Sequence, residues 1–225
     1  MKYSLYILFC IFFLASCQKE EFTDIPKGMG ALVLENLSVQ TENVNTITTR
    51  AVANDLYVEI WQGGSLVAGQ VYEPGKMPSK LNLPAGDYQL KTYNQAYKDM
   101  SSWPESEKGN AAFYADKEFK IEEGKVSYFS LEVPMINIGV SLRLPEGFSD
   151  LFSTYHFFAQ VGERSVEILK AETAYFPLGK VTCTFSVVNS DSENKTNTFT
   201  IDSPKAGTIY EINYDYETKT LRVIE

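Results

Sequence analysis

Histidine and cysteine are scarce in this 225-residue chain: His156 stands alone, and there are three cysteines. So few residues of these types exclude a disulfide framework and a Cys/His metal site of the usual spacing. Positive charge is short as well, with 20 Lys and Arg against 29 Asp and Glu and a net charge of −9. An acidic chain of this kind does not draw nucleic acid or anionic membrane surfaces. Long apolar runs are missing; Tyr3–Ser16 is free of charge but falls short of the about 20 residues a membrane span needs. No Walker, G-x-S-x-G or H-E-x-x-H pattern occurs. His156, in "TYHFFAQ", has no nucleophile at a recognisable spacing and reads as structural. Scattered carboxylates read as a solvated surface rather than a glycosidase pair. The loop "NSDSENKTN" (189–197) lacks the spacing and glycine of an EF-hand and reads as a polar hairpin. The expectation is a protein that is not an enzyme, with no cofactor and no metal.

What is present starts at the N-terminus. Met1-Lys2 and the apolar run after it, closed by Leu14-Ala15-Ser16-Cys17, read as a secretory signal. Those last four residues resemble the lipobox of bacterial lipoproteins, with Cys17 as the lipidation site. Several acyl chains on one residue anchor more firmly than one, since each buried methylene adds about 0.8 kcal/mol. Gln18-Lys19-Glu20-Glu21 resembles the export signal of Bacteroidetes-type lipoproteins. Lys19, Glu20 and Glu21 thereby imply display on the outer face of the outer membrane. Residues 18–27 form an acidic tether that spans roughly 35 Å when extended. Past the anchor, Cys183 in "VTCTFSV" alternates with polar neighbours and reads as a small core residue.

From Gly28 on, short β-rich runs alternate with Gly, Pro, Asn and Asp, the pattern of β-sandwiches. Strands are expected over 31–39, 56–62, 88–93, 118–121, 126–133, 136–144, 155–161, 166–169, 181–188, 197–201, 209–216 and 220–224. A single helical turn is expected within "EGFSDLFSTY" (146–155), capped by Ser149, with Phe148, Leu151 and Phe152 facing inward. The pattern repeats. "LPAGDYQLKTY" and "EFKIEEGKVSYFSLEV" in the first half match "FPLGKVTCTFSV" and "TFTIDSPKAGTIYEINY" in the second. In both, Pro-x-Gly launches an alternating strand, and a Phe-x-Ile strand turns at Gly124 or Gly207 into an aromatic-rich one. The reading is all-β: two tandem sandwiches of immunoglobulin or transthyretin type, 28–134 and 135–225, divided near Pro134.

The segments "GMGALVLENLSV", "TTRA", "YVEIW", "KMPSKLNLPAGDYQLKTY", "AAFYADKEFKIEEGKV", "FSDLFSTY", "ETAYFPLGKVTCTFSV" and "KAGTIYEINYDY" occur in that order. They resemble an uncharacterised family of Bacteroidetes two-domain surface lipoproteins, grouped with fimbrillin-like cell-adhesion proteins, across nearly all of 28–225. The resemblance implies an anchored adhesin or pilus component without catalytic residues. The chain departs from the family at Phe113-Tyr114-Ala115-Asp116, where many members carry a Pro-Tyr-Tyr-Tyr-Gly-like segment. By analogy with fimbrillin-type pilins, Arg50 is a candidate protease site. A cut there would release the first strand and let like subunits pair by strand addition; against this, Arg50 reads as a solvated loop residue.

The longest break in the strand pattern is "NQAYKDMSSWPESEKGNAA" (94–112), and loops of that length are often functional. Tyr97 and Trp103 lie in it. Two readings stand open: exposed aromatics that stack on a glycan or anchor a host protein, or a lid folded back onto the sandwich. The first supports an alternative function, carbohydrate binding for nutrient capture.

Overall fold

The computed structural model describes residues 25–40, 42–43, 55–189 and 193–224. It is built of four sheets that form two tandem β-sandwiches. The first half contributes β1 (Met29–Gln40), β2 (Glu42–Asn43), β3 (Tyr57–Gln62), β4 (Ser65–Tyr72), β5 (Lys80–Pro84), β6 (Gly86–Tyr93), β7 (Tyr114–Ile121) and β8 (Val126–Pro134). The second contributes β9 (Ile138–Arg143), β10 (Phe152–Val161), β11 (Arg164–Glu167), β12 (Thr173–Phe176), β13 (Val181–Asn189), β14 (Asn194–Ile201), β15 (Thr208–Asp215) and β16 (Thr220–Ile224). Two short α-helices, α1 (Gln95–Asp99) and α2 (Phe148–Leu151), and a 3-10 turn at Met100–Ser102 complete the elements among the described residues.

The repeat read in the sequence is a repeat of connectivity. The first half makes sheets β5-β1-β8 and β4-β3-β6-β7, and the second makes β12-β9-β15-β16 and β11-β10-β13-β14. In each, the opening strand lies parallel to a strand from the far end of its half: β1 with β8, β9 with β15. The turns before β8 and β15 need Gly124 and Gly207, at φ +71° and +81°, a conformation L side chains rarely adopt.

Alternation does the sorting. Along β3, Val58 and Ile60 are buried while Tyr57, Glu59 and Trp61 face outward. Along β8, Phe129, Leu131 and Val133 face in and Tyr128, Ser130 and Glu132 face out. This period of two is what a one-sided sheet requires. The second core gathers Val140, Phe157, Val166, Phe176, Phe185 and Ile212. The first gathers Leu32, Val58, Ile60, Leu90 and Phe129, and takes in Tyr175 and Ile209 from the second half.

Several expectations change. Strands β4, β5 and β12 were not expected; each lacks a clean alternation or is very short. The single turn expected within 146–155 forms at 148–151, but Phe152 leaves it and opens β10 with Ser153–Tyr155. Ser149 lies inside that turn, Gly147 at φ +74° precedes it, and Leu151 is 55% exposed. Conversely α1 forms inside the 94–112 loop. Of 189–197, residues 190–192 lie outside the described residues, and Asn194–Asn197 are strand rather than loop. Cys183 is fully buried, and burial pushes its thiol up to about 12.

Candidate functional site: the junction loop and the first strand

Asn94 sets the loop. Its side-chain oxygen caps α1 by accepting from Tyr97 N (3.1 Å) and also accepts from Phe113 N (3.0 Å). Its amide nitrogen donates to the Ala111 carbonyl (2.7 Å). One side chain thus pins the start of the loop to its end, using Asn's ability to cap and to bond backbone at once.

Tyr97 is then held in a tyrosine stack. It lies 4.7 Å from Tyr114 and 5.6 Å from Tyr93, and Tyr93 stacks on Tyr57 at 5.5 Å. The Lys98 ammonium sits 3.7 Å from the Tyr57 ring centre, a cation–π contact. The Tyr93 hydroxyl donates to Glu59, and burial, then that carboxylate, raises its pKa. Three of these tyrosines are cross-strand neighbours: Tyr57 faces Tyr93 and Tyr93 faces Tyr114.

Trp103 sits at the junction of the two halves. Arg164 lies over it at 5.3 Å and over Phe176 at 4.7 Å. The guanidinium donates to the carbonyls of Tyr175 (2.6 Å), Pro104 (3.4 Å) and Glu107. Burial lowers the Arg164 pKa, opposed by Glu107. Gly109, at φ +65°, packs so tightly that a side-chain carbon there would lie 2.7 Å from the indole. Lys108 pairs with Glu172, and Tyr175 N donates to Lys108 O at 2.6 Å. Asn137, fully buried, accepts from Ala112 N and donates to Asn110 O, both at 2.9 Å. The loop is thus mortar between the halves. Tyr97 and Trp103 do not come together: one belongs to the tyrosine stack, the other to the Arg164 contact. Both rings are half-buried with neighbours on them. Arg164, Asn137 and the tyrosine stack escaped the sequence reading. Pairing β3, β6 and β7 would have aligned the tyrosines; a single arginine after a turn carries no such signal.

The first strand is the other functional element. β1 pairs with β5 only over Met29–Val33 but with β8 as far as Gln40. Next to its single-sided part lies a cavity of about 280 Å³, lined by Leu34, Leu37, Leu56, Val58 and Met77 among others. The chain then reaches the second sandwich, where β2 pairs with β15.

Cys17, Lys19, Glu20, Glu21 and Arg50 lie outside the described residues. His156 is exposed on β10, 2.7 Å from Glu167. Among the described residues no group of three His, Cys, Asp or Glu side chains could hold a metal ion, and no helix is long and apolar enough to cross a membrane.

Among curated proteins, none matches this sequence. Solved structures are similar at low identity. A fimbrilin from Porphyromonas gingivalis is 9% identical, with 89% of this chain and 98% of that one covered and a TM-score of 0.47. A candidate cell adhesion protein from Bacteroides eggerthii is also 9% identical, with 84% and 86% covered and a TM-score of 0.47. A fimbrial anchor protein from Porphyromonas gingivalis is 13% identical, with 86% and 94% covered and a TM-score of 0.38. One family model spans residues 28–225, so the protein belongs to the family described as a domain of unknown function, DUF4493.

Proposed function

We propose that this protein is a non-enzymatic surface lipoprotein, an adhesin or pilus-type subunit held at the outer membrane by acyl chains on Cys17. Its two working units are 28–134 and 135–225. The observation that carries this reading is the parallel pairing of β1 with β8. Tension from an N-terminal anchor enters at Met29, the start of β1, and leaves the first sandwich at Pro134, the end of β8. Because the two strands run parallel and adjacent, that tension shears their hydrogen bonds together instead of opening them one at a time. A protein that holds a cell to something outside it needs that geometry; a diffusing binder does not.

The carbohydrate-binding alternative ranks second, because Tyr97 and Trp103 already have neighbours on their rings. Cleavage after Arg50 would remove both β1 and β2, opening a gap between β5 and β8 and stripping a neighbour from β15. Like subunits could fill that gap by strand addition.

Two measurements test the reading. Cys17→Ala should abolish labelling by a fatty-acid analogue and remove the protein from the protease-accessible surface of intact cells; unchanged labelling ends the lipoprotein reading. In single-molecule pulling, the full chain stretched between its N-terminus and residue 134 should resist more force than one stretched between residues 63 and 134. Equal forces in the two directions would remove the argument from shear.

A further inference from the structure

We propose that the outer edge of β8 pairs antiparallel with the same edge of a second copy of this chain, about a twofold axis at Ser130. The starting point is a difference between the two sandwiches. The second has a strand, β16, added beyond β15, and among the described residues the first has nothing beyond β8. Register locates the equivalent place. Gly30 pairs with Leu83 and Ile138 with Phe176, each just ahead of its Pro-x-Gly turn. One residue on, Ala31 pairs with Val126 and Gly139 with Ile209. Val126 therefore corresponds to Ile209, and Tyr128–Glu132 to Glu211–Asp215, the stretch that receives β16 antiparallel. The fold thus accepts an antiparallel strand in this position, and in the first sandwich no strand among the described residues fills it. There Phe129 packs against Phe119 of β7, and the Lys117 ammonium lies 5.4 Å from the Phe129 ring.

The edges themselves favour the same strand. Proteins protect edge strands with lysine, proline, bulges or shortness. β4 has a bulge and Gly69 at φ +76°. β7 carries Lys117 and Lys120, β14 carries Lys195, and β16 carries Arg222. β5, β11 and β12 have five residues or fewer. β8 has nine residues, no lysine or arginine, and a proline only as its last residue.

Self-pairing follows from what the edge displays. With Ser130 opposite Ser130, Tyr128 of each copy faces Glu132 of the other, so a hydroxyl donor meets a carboxylate at both ends. No like charges are opposed, the arrangement cross-strand pairs prefer, and a twofold interface must be self-complementary in this way. Tyr128 is 48% exposed and free to make the contact. This pairing leaves β1 in place and does not depend on any cut at Arg50.

The test uses the full chain in detergent solution. Light scattering should give a dimer for the parent, and Ser130→Cys should form an oxidised covalent dimer that reducing agent reverses. A control, Ser165→Cys on β11, should form no covalent dimer on oxidation. Ser130→Lys opposes two ammonium groups at the axis and should lower the dimer fraction at least tenfold while leaving the circular dichroism spectrum of the folded chain unchanged. A monomeric parent, a Ser130→Cys chain that cross-links no better than the control, or cross-linking in cells to a different protein would each overturn the proposal.

Discussion

The two sandwiches share their connectivity but not their self-sufficiency. The second closes on itself: every residue of its core cluster lies between Ile138 and Leu221, and β16 seals its side with Leu221. At one end Phe148 brings Phe152, Tyr155 and Tyr214 together, at ring distances of 4.6, 5.8 and 5.3 Å. The first borrows Tyr175 and Ile209 from its neighbour and reaches it through a loop held by Arg164 and Asn137. A repeated topology therefore does not give two equal folding units. The difference lies in who supplies the last apolar contacts.

The sharpest way to break the comparison is to separate the halves. Residues 135–225 alone should unfold cooperatively on heating. Residues 28–134 alone should show no cooperative transition by circular dichroism, since their core lacks its two lent residues. Next in size, Phe185→Ala should cost about 3–5 kcal/mol and should unfold both sandwiches, because the first leans on the second. Removal of the equivalent first-half residue, Leu90→Ala, should cost about 2–5 kcal/mol but leave a second transition visible by calorimetry. Arg164→Ala leaves the Tyr175 carbonyl without its donor at the junction, at about 1–3 kcal/mol. Its signature is a splitting of one melt into two, with the earlier belonging to the first sandwich.

Two smaller effects sharpen the picture. Hydrogen bonding from Lys108, then from Leu169 N, holds the Glu172 carboxyl below its usual value. A depressed carboxylate contributes stability above its unfolded pKa and loses it as pH falls through the folded one. The junction should therefore loosen on acidification below about pH 4.5, read as faster amide exchange at Lys108 and Tyr175, and Glu172→Gln should flatten that dependence. Smallest of all, Cys183 should be silent to a thiol reagent at neutral pH in the folded chain, because burial raises its pKa to about 12. It should react at once in denaturant. Reaction without denaturant would mean that the second sandwich opens under native conditions.

Strands with alternating β-branched and aromatic residues were legible: β1, β3, β8, β13 and β16 lie within two residues of where the pattern puts them. The unexpected ones failed for local reasons. β4 contains Gly69 and has no alternation of burial, and β12 is four residues flanked by turns. "FSDLFSTY" misled because Phe152–Tyr155, good strand formers, follow directly on a helical turn. The long loop was found as a loop, yet its contacts were not. They depend on Arg164 and Glu172, more than fifty residues away in sequence, and no local pattern joins them. Residues 18–24 and Arg50 lie outside the described residues.

The pairing of Ala31 with Val126 joins residues 95 positions apart (126 − 31), and Glu42 waits for Thr208. Non-local pairing of this kind slows folding, because the loop must close before any contact repays it. During synthesis β1 is therefore finished first and completed last. Until β5 and then β8 emerge, the apolar run Ala31–Leu34 has no sheet to enter. A chain built this way stays open while it is being made, its first strand exposed to whatever else can bind an unpaired edge.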